Sequence, residues 1–225
     1  MHYKHFQDVI NSLLERGIKV FRTNDIAKLL DKSRAYASLM ASRSREIKKI
    51  ENGKYYLKGA DINEIASNII VPSYVSLLAA LSYYDLTNQI LVNIMVITIK
   101  RHKPLKIEGY GVDFVTINKS RFFGYVKVGN AYIARVEKAI IDSLYLDAVP
   151  YSELKDVLKE AMDRGLINIK ILKDYAVFMH SKVLIDRLVI LLLDLGINTN
   201  DFKKFVSGRK VRMLGLAGNK YDKRN

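Results

Sequence analysis

The stretch "SRAYASLMASRSREIKKIENGKYYL", residues 33–57, decides how the N-terminal part of the chain is built. Its first half places alanines and serines between arginines, a composition that suits neither a core helix nor a catalytic loop. "DKS" before it offers a turn and a helix cap, so we predict a helix over residues 34–46. Downstream, "IKKI" and "YYL" flank "ENGK". Asn-Gly is the strongest short turn signal, because a type I′ turn needs positive φ at both central residues. A helix followed by a β-hairpin is therefore expected.

The residues before this stretch complete a small pattern of helices and strands. Residues 3–16 carry apolar side chains at helical spacing, and Gly17 ends the run. "KVFR" (19–22) is β-like, and "TNDIAKLL" (23–30) opens with candidate helix caps. The order of helix, short strand, short helix, turn, helix and hairpin predicts a winged helix-turn-helix. The alternative is another small α+β domain.

The rest of the chain alternates between helical and strand-like patterns. "KGADINEIASNII" indicates a connecting helix capped by Asp61 and stopped by Pro72. An amphipathic helix is expected next, and its inward side chains are Val75, Leu78, Ala79 and Leu81. β-branched runs with glycine turns then predict strands up to residue 134. The remainder is helical, including a helix capped by Ser152 and ended by Gly165.

These patterns together predict an α+β fold with four segments. Residues 1–58 form the winged helix-turn-helix DNA-binding domain, and residues 59–73 form the connecting helix. Residues 74–208 form a larger mixed α/β domain with a small sheet and a helical C-terminal part. Residues 209–225 form a basic tail, for which contact with a partner and a solvated end remain equal alternatives.

Charge and composition narrow the function classes. The net charge is +14, and the chain contains no cysteine, which excludes disulfides, thiolate zinc sites and cysteine nucleophiles. Residues 1–58 hold 13 basic and 6 acidic groups, residues 59–150 hold 9 and 8, and residues 151–225 hold 15 and 9. Basic ends around a neutral middle are typical of proteins that bind a polyanion, although a merely soluble basic protein has the same balance.

The sequence also indicates the compartment. The N-terminus is charged throughout and lacks the apolar core of a secretion signal. The apolar run "ILVNIMVITI" is too short to span a bilayer, and "VLIDRLVILLLDLGI" is interrupted by charges. We therefore expect a soluble, cytoplasmic protein with no membrane partner.

The predicted helix over residues 34–46 has two possible orientations. At about 100° per residue, the simplest one buries Leu39 and Met40 with Tyr36 beside them. It leaves small residues between two arginines on the exposed side, where arginines can bind guanine edges and serines can bind bases or phosphates. In the other, Ala37, Met40 and Ala41 face inward, and Tyr36, Leu39 and Arg43 turn toward the DNA.

The hairpin is expected to contribute lysines that bind phosphates in a salt-sensitive, sequence-independent way. One tyrosine of the pair Tyr55 and Tyr56 is expected in the core. The complete set of predicted DNA-binding residues is Ser33, Arg34, Tyr36, Ser38, Ser42, Arg43, Arg45, Lys48, Lys49 and Lys54. Arg34, Ser38 and Arg45 are the preferred base-contacting residues.

Several segments resemble one family. "VFRTNDIAKLLDKSRAYASLMASRSREIKKIENGKYYL" is similar to the N-terminal winged-helix region of AbiEi-like antitoxins, from type IV (abortive infection) toxin–antitoxin systems. "PSYVSLLAALSYYDLTNQI" resembles the family's proline-led helix, and "AYIARVEKAIIDSLYLD" resembles its "EKA…D" helix, the most specific of the three. The resemblance covers about residues 18–147. The chain departs from the family at residues 44–46, where a glycine often stands.

The resemblance implies a transcriptional repressor that binds inverted-repeat, double-stranded DNA in its own promoter. It also implies that the C-terminal region counters a nucleotidyltransferase-like toxin encoded nearby, without a stable complex being required. One alternative is a winged-helix regulator without a toxin partner, whose C-terminal domain senses a ligand or dimerises.

An enzyme is not expected. The sequence has no Gly-Ser followed by paired aspartates and no phosphate-cradling glycine motif. Of the four histidines, His2, His5, His102 and His180, the first two lie at helical spacing near a terminus, where an exposed solvated pair is favoured over a metal site. We predict no catalytic residue, no cofactor and no metal. A second alternative is a metal-dependent nuclease that uses Asp113 with the downstream Glu137-Lys138 pair. However, that pair falls in a predicted helix, where Glu137 and Asp142 are expected to make local surface contacts.

Overall fold

The computed structural model describes residues 5–207 and 211–216, and its first part is a small unit of three helices and one sheet. We call this part the N-terminal unit. Its elements are α1 Phe6–Glu15, β1 Val20–Arg22, α2 Thr23–Leu30, α3 Arg34–Arg43, β2 Ile47–Glu51 and β3 Lys54–Leu57. The strands form an antiparallel sheet in the order β1-β3-β2. The predicted order of elements and the hairpin are confirmed, but the turn is not of type I′: Gly53 has a φ of 78°, Asn52 has no positive φ, and the β2–β3 register shifts between Lys49 and Glu51.

The second part, the C-terminal unit, is built on a six-stranded mixed sheet. Its strands are β4 Ser73–Val75, β5 Asn93–Thr98, β6 Leu105–Ile107, β7 Tyr110–Thr116, β8 Tyr125–Val128 and β9 Ala131–Ala134. The order is β6-β7-β5-β4-β9-β8, in which β5–β7 and β4–β9 are parallel and the other pairs antiparallel. The coarse expectation of mixed helices and strands is therefore correct.

Helices cover both faces of this sheet. They are α4 Ile62–Ile69, α5 Leu77–Tyr83, α6 Val136–Leu146, α7 Tyr151–Asp163, α8 Ile169–Phe178 and α9 Lys182–Asp194. Tyr74 and Val75, neighbours on β4, belong to different cores, because successive strand residues point to opposite faces. Tyr74 packs in the core with α5–α9, whereas Val75 packs with α4 and with Tyr56 of the N-terminal unit.

The predicted helix that includes Val75 begins later than expected. Ser73–Val75 form a strand at the centre of the sheet, and the helix begins at Leu77. The backbone of this short segment pairs with β5 on one side and β9 on the other. These pairings come from distant segments and outweigh the local helical spacing. In the helix itself, Ala79 and Leu81 are buried as predicted, while Leu78 is only partly buried.

Three further boundaries differ from prediction. α3 ends at Arg43, because Ser44 takes extended backbone that leads into β2. Ser152 lies inside α7, whose N-cap is Pro150; the Tyr151 N–H donates to the Leu214 carbonyl instead. The segment after residue 199 contains only the 3₁₀ turn Asn200–Phe202 among its described residues. The caps at Ser33 and Asp61 are confirmed.

Part of the predicted basic tail packs onto the C-terminal unit. Val211 and Met213 are buried, and the Leu214 N–H donates to Asp147 Oδ1 over 2.9 Å. The Arg212 carbonyl accepts a hydrogen bond from Arg187 Nε. Residues 209–210 and 217–225 of that tail lie outside the described residues.

Candidate nucleic-acid interface

The start of α3 is set by a local cap. Ser33 Oγ accepts a hydrogen bond from the Tyr36 N–H over 3.2 Å, which satisfies one of the free donors of the first turn. The hydroxyl of Ser33 is therefore used by the helix itself. Arg34, the first residue of α3, remains exposed.

The side of α3 that packs against its own unit consists of small residues. Ala37 and Ala41 are buried, whereas Tyr36 and Leu39 are 42% and 44% exposed. The expected burial of Leu39 with Tyr36 is wrong; Ala37 and Ala41 face inward as in the second predicted orientation, and Met40 is half-buried. α3 packs against α2 and β2, and Ala37 and Ala41 belong to the core of this unit, where small side chains allow a close approach of the helices.

This orientation changes the position of two predicted serines. Ser38 is half-buried, and its Oγ lies 3.2 Å from the hydroxyl oxygen of Tyr55. Ser42 is exposed, and its Oγ donates to the Leu39 carbonyl over 2.8 Å. The hydroxyl of each serine thus has a partner within the chain.

The predicted arginines lie at the two ends of α3 and just beyond it. Arg34 and Arg43 are the first and last residues of the helix, and Arg45 follows its C-cap. All three are exposed. No ion pair within residues 5–207 and 211–216 involves any of them. These cations are available to an external anion.

Lys48 and Lys49 lie on opposite faces of the hairpin. Lys49 is opposite Tyr55, and Lys48 is opposite Tyr56. Only one of these tyrosines was expected in the core. Both are buried, each in a different core. Because residues directly opposite share a face, Lys49 lies on the α3 side and Lys48 on the side of the C-terminal unit.

Lys48 is held by a carboxylate of the C-terminal unit. Its Nζ lies 2.6 Å from Glu108 Oε1, and the Tyr56 hydroxyl donates to the same oxygen over 2.6 Å. The hydrogen bond from Lys48 holds the pKa of Glu108 below its usual range. Burial raises the pKa of Tyr56, and the Glu108 carboxylate raises it further.

Lys54 is paired as well. Its Nζ lies 2.7 Å from Glu51 Oε1, and the same oxygen lies 3.2 Å from His102 Nε2. Burial opposes ionisation of Glu51, but the hydrogen bonds from Lys54 and His102 prevail and lower its pKa. Of the three predicted phosphate-binding lysines, Lys49 is therefore the one without an ion pair among the described residues.

A basic cleft opens where α2, α3 and the hairpin turn meet. Six residues line it: Arg22, Asn24, Arg34, Asn52, Gly53 and Lys54. The sequence patterns did not point to Arg22 and Asn24. Arg22 lies immediately before α2, and Asn24 lies in its first turn. This position at the start of a helix is the signal that could have identified them.

A second group of charged residues lies on α6, and it is buried. Lys138 and Asp142 are 0% and 1% exposed, and Lys138 Nζ lies 2.5 Å from Asp142 Oδ1. Asp142 Oδ2 accepts hydrogen bonds from Ser76 Oγ (2.8 Å) and from the Tyr74 hydroxyl (3.1 Å). Lys138 Nζ also lies 4.6 Å from the centroid of the Phe123 ring.

The expectation of surface contacts for Glu137 and Asp142 is therefore wrong. α6 is enclosed by α5, α7, α8 and α9, and Glu137 is also buried, accepting a hydrogen bond from the Asn168 N–H. Burial lowers the pKa of Lys138 and raises the pKa of Asp142, and their mutual attraction opposes both changes. The "EKA…D" motif thus forms an interior polar cluster.

The residues considered for a nuclease do not converge. Asp113 lies on β7, while Glu137 and Lys138 follow β9. Strands β5 and β4 lie between β7 and β9, which places those two strands about 14 Å apart. Within the described ranges, no three residues of the types His, Asp and Glu form a group able to hold a metal ion. His5 and His180 are exposed, and His2 is outside these ranges.

No protein-family model matches the chain, and a search of curated proteins finds no match. The resemblance to AbiEi-like antitoxins therefore has the quoted segments as its support. Among the described residues, no helix has both the length and the apolar character needed to cross a bilayer.

Proposed function

We propose that the protein binds double-stranded DNA through a winged helix-turn-helix in its N-terminal unit and represses its own operon. The observation that carries the proposal is the outer face of α3. That face presents Ala35, Tyr36, Leu39, Ser42 and Arg43 to solvent, while the helix is held to its own unit by buried alanines. Such a face has room for a partner to approach closely.

The chemistry of this face suits the major groove. Ala35 and Ser42 are small enough to let the backbone approach the bases. Arg43 can bind the O6 and N7 atoms of guanine, and Leu39 and Tyr36 can contact thymine methyl groups. Arg34 lines the basic cleft, and Lys49 lies on the same face of the hairpin as Tyr55. In this proposal both side chains bind phosphates.

We extend the proposal to an antitoxin role on the strength of the sequence resemblance over residues 18–147. In this role the C-terminal unit counters a nucleotidyltransferase-like toxin, with no stable complex required. A nucleotidyltransferase reading frame beside the gene and rescue of growth on co-expression would support it. Failure of the full chain to rescue growth would instead favour a regulator without a toxin.

Footprinting of the full-length protein on the gene's own upstream DNA tests the DNA-binding proposal. We expect protection of inverted repeats, with half-sites about one helical turn, ~10 base pairs, apart if two copies bind. Arg43→Ala should weaken protection, while Lys159→Ala on α7 is a control of equal charge change on an exposed residue. Equal binding to upstream and unrelated DNA, or no binding at low salt, would overturn the proposal.

A further inference from the structure

A short basic segment of the C-terminal unit lies beside the hairpin. The loop that follows β5 reads "KRHKP" over residues 100–104, and β6 begins at Leu105. Lys100, Arg101 and Lys103 are exposed, and His102 is half-buried between them. This loop is far in sequence from α3, and nothing in the winged-helix pattern draws attention to it.

Contacts on both sides hold the loop in place. His102 Nε2 lies 3.2 Å from Glu51 Oε1 on the hairpin, and its Nδ1 lies 2.8 Å from the Lys103 carbonyl oxygen. The His102 ring also packs against Phe114 at 4.5 Å between ring centroids. Lys100 Nζ donates to the Val71 carbonyl over 2.7 Å. The fold itself therefore orders this loop.

Arg101 and Lys103 are exposed cations of this loop, whereas the Lys100 ammonium group already donates to the Val71 carbonyl. Neither takes part in an ion pair within the described part of the chain. Arg101 and Lys103 are the residues immediately before and after His102, which contacts the hairpin. A pre-ordered backbone reduces the entropy lost when such side chains bind a partner.

The loop continues a series of cations that starts at α3. Arg34 and Arg22 line the basic cleft together with Lys54. Lys54 and His102 both contact Glu51 Oε1. Arg101 precedes His102 in the chain, and Lys103 follows it. Duplex DNA carries one negative charge per ~1.7 Å of helix axis, so an extended series of cations suits its backbone.

We propose that Arg101 and Lys103 bind phosphates of duplex DNA beyond the hairpin, so that the C-terminal unit lengthens the DNA contact. This inference rests on the proposed DNA-binding function and assigns it a second surface. The contact is electrostatic and reads no sequence. It adds affinity for specific and unrelated DNA alike.

The salt dependence of binding by the full-length protein tests this inference. The probes are a 5′-labelled duplex of the gene's upstream region and an unrelated duplex of equal length. Because each phosphate neutralised by the protein adds about 0.9 to the slope of log K against log salt, Arg101→Ala/Lys103→Ala should reduce that slope by about 1.8 on both duplexes. The footprint should also shorten at one edge, and Arg101→Lys/Lys103→Arg should retain the wild-type slope.

A matched control removes two exposed lysines elsewhere. Lys159 and Lys170 lie on α7 and α8, which pack in the core on the other face of the sheet from Tyr56. Lys159→Ala/Lys170→Ala should leave slope and footprint unchanged. An unchanged slope in Arg101→Ala/Lys103→Ala, with wild-type protein bound to DNA, overturns the loop proposal alone. Absence of wild-type binding overturns both proposals.

Discussion

α3 and α6 are of similar length, but α3 exposes its charged residues and α6 buries them. α3 buries two of its ten residues, both alanines, and directs its arginines to solvent. α6 buries nine of its eleven residues, among them Lys138 and Asp142, which pair with each other. Both helices carry charged residues, but α6 is richer in large apolar residues than α3.

The difference shows what each set of charges can do. Exposed, unpaired arginines add little to folding stability and remain free for a partner. A buried ion pair has already lost its water, so removal of one member leaves an uncompensated charge in the interior. Variants of α6 should therefore change stability, and variants of α3 should change DNA binding. The four predictions below test this separation, beginning with the largest effect.

Asp142→Ala should lower the free energy of unfolding by about 3–5 kcal/mol, because Lys138 is left buried without a counter-charge. Urea unfolding followed by circular dichroism measures the change. The double variant Lys138→Met/Asp142→Leu should recover most of the loss, since both charges are removed together. A loss below ~1 kcal/mol in the single variant would contradict a structural role for the pair.

Arg43→Ala should weaken operator binding by about 1–3 kcal/mol if its guanidinium binds a guanine. Its free energy of unfolding should stay within about 0.5 kcal/mol of wild type, because the side chain is exposed. Mobility shifts of Arg34→Ala and Arg45→Ala should be measured in parallel. They test the arginine at the start of the helix and the one beyond its end. If all three variants bind the operator with the affinity of wild type, the arginines do not belong to the interface.

Lys48 and Lys49 are adjacent residues that should behave differently. Lys49→Ala should reduce the salt slope of DNA binding by about 0.9, the value for one phosphate contact. Lys48→Ala should leave the slope close to wild type, because Lys48 is already paired with Glu108 on the other face of the hairpin. The opposite ranking would show that DNA displaces Glu108 from Lys48.

Acid should weaken the contact between the hairpin and the C-terminal unit. The pKa values of Glu51 and Glu108 are lowered in the fold, so both carboxylates favour the folded state above the usual glutamate pKa. This contribution is lost as pH falls below the usual glutamate pKa and through the lowered values. Urea midpoints of wild type and Glu108→Gln should therefore differ near neutral pH and converge in acid. A constant difference would exclude ionised Glu108 as the cause.

Much of the candidate interface could be predicted from local sequence. The Ser33 cap, the Asn-Gly hairpin and the exposed arginines all follow from residues within a few positions of one another. The orientation of α3 did not follow, because Leu39, Met40 and the alanines spread over most of the helix circumference. Packing against α2 and β2 decided it and left Ala37 and Ala41 on the buried side.

Pairings between distant residues account for what sequence reasoning missed. Glu108 is 60 positions from Lys48, and His102 is 51 positions from Glu51, so no local pattern reveals either pairing. The burial of Lys138 and Asp142 depends in the same way on four surrounding helices.

Short-range features, namely the caps at Ser33 and Asp61, the position of the hairpin turn and the placement of charge along the chain, were determined by the sequence itself, because a few neighbouring residues are enough to satisfy or strain a backbone segment. The tertiary structure alone decided three features: which face of α3 is exposed, which hairpin lysine is unpaired, and that Ser73–Val75 form a central strand. The physical reason is that burial and ion pairing depend on segments that meet only after the chain has folded.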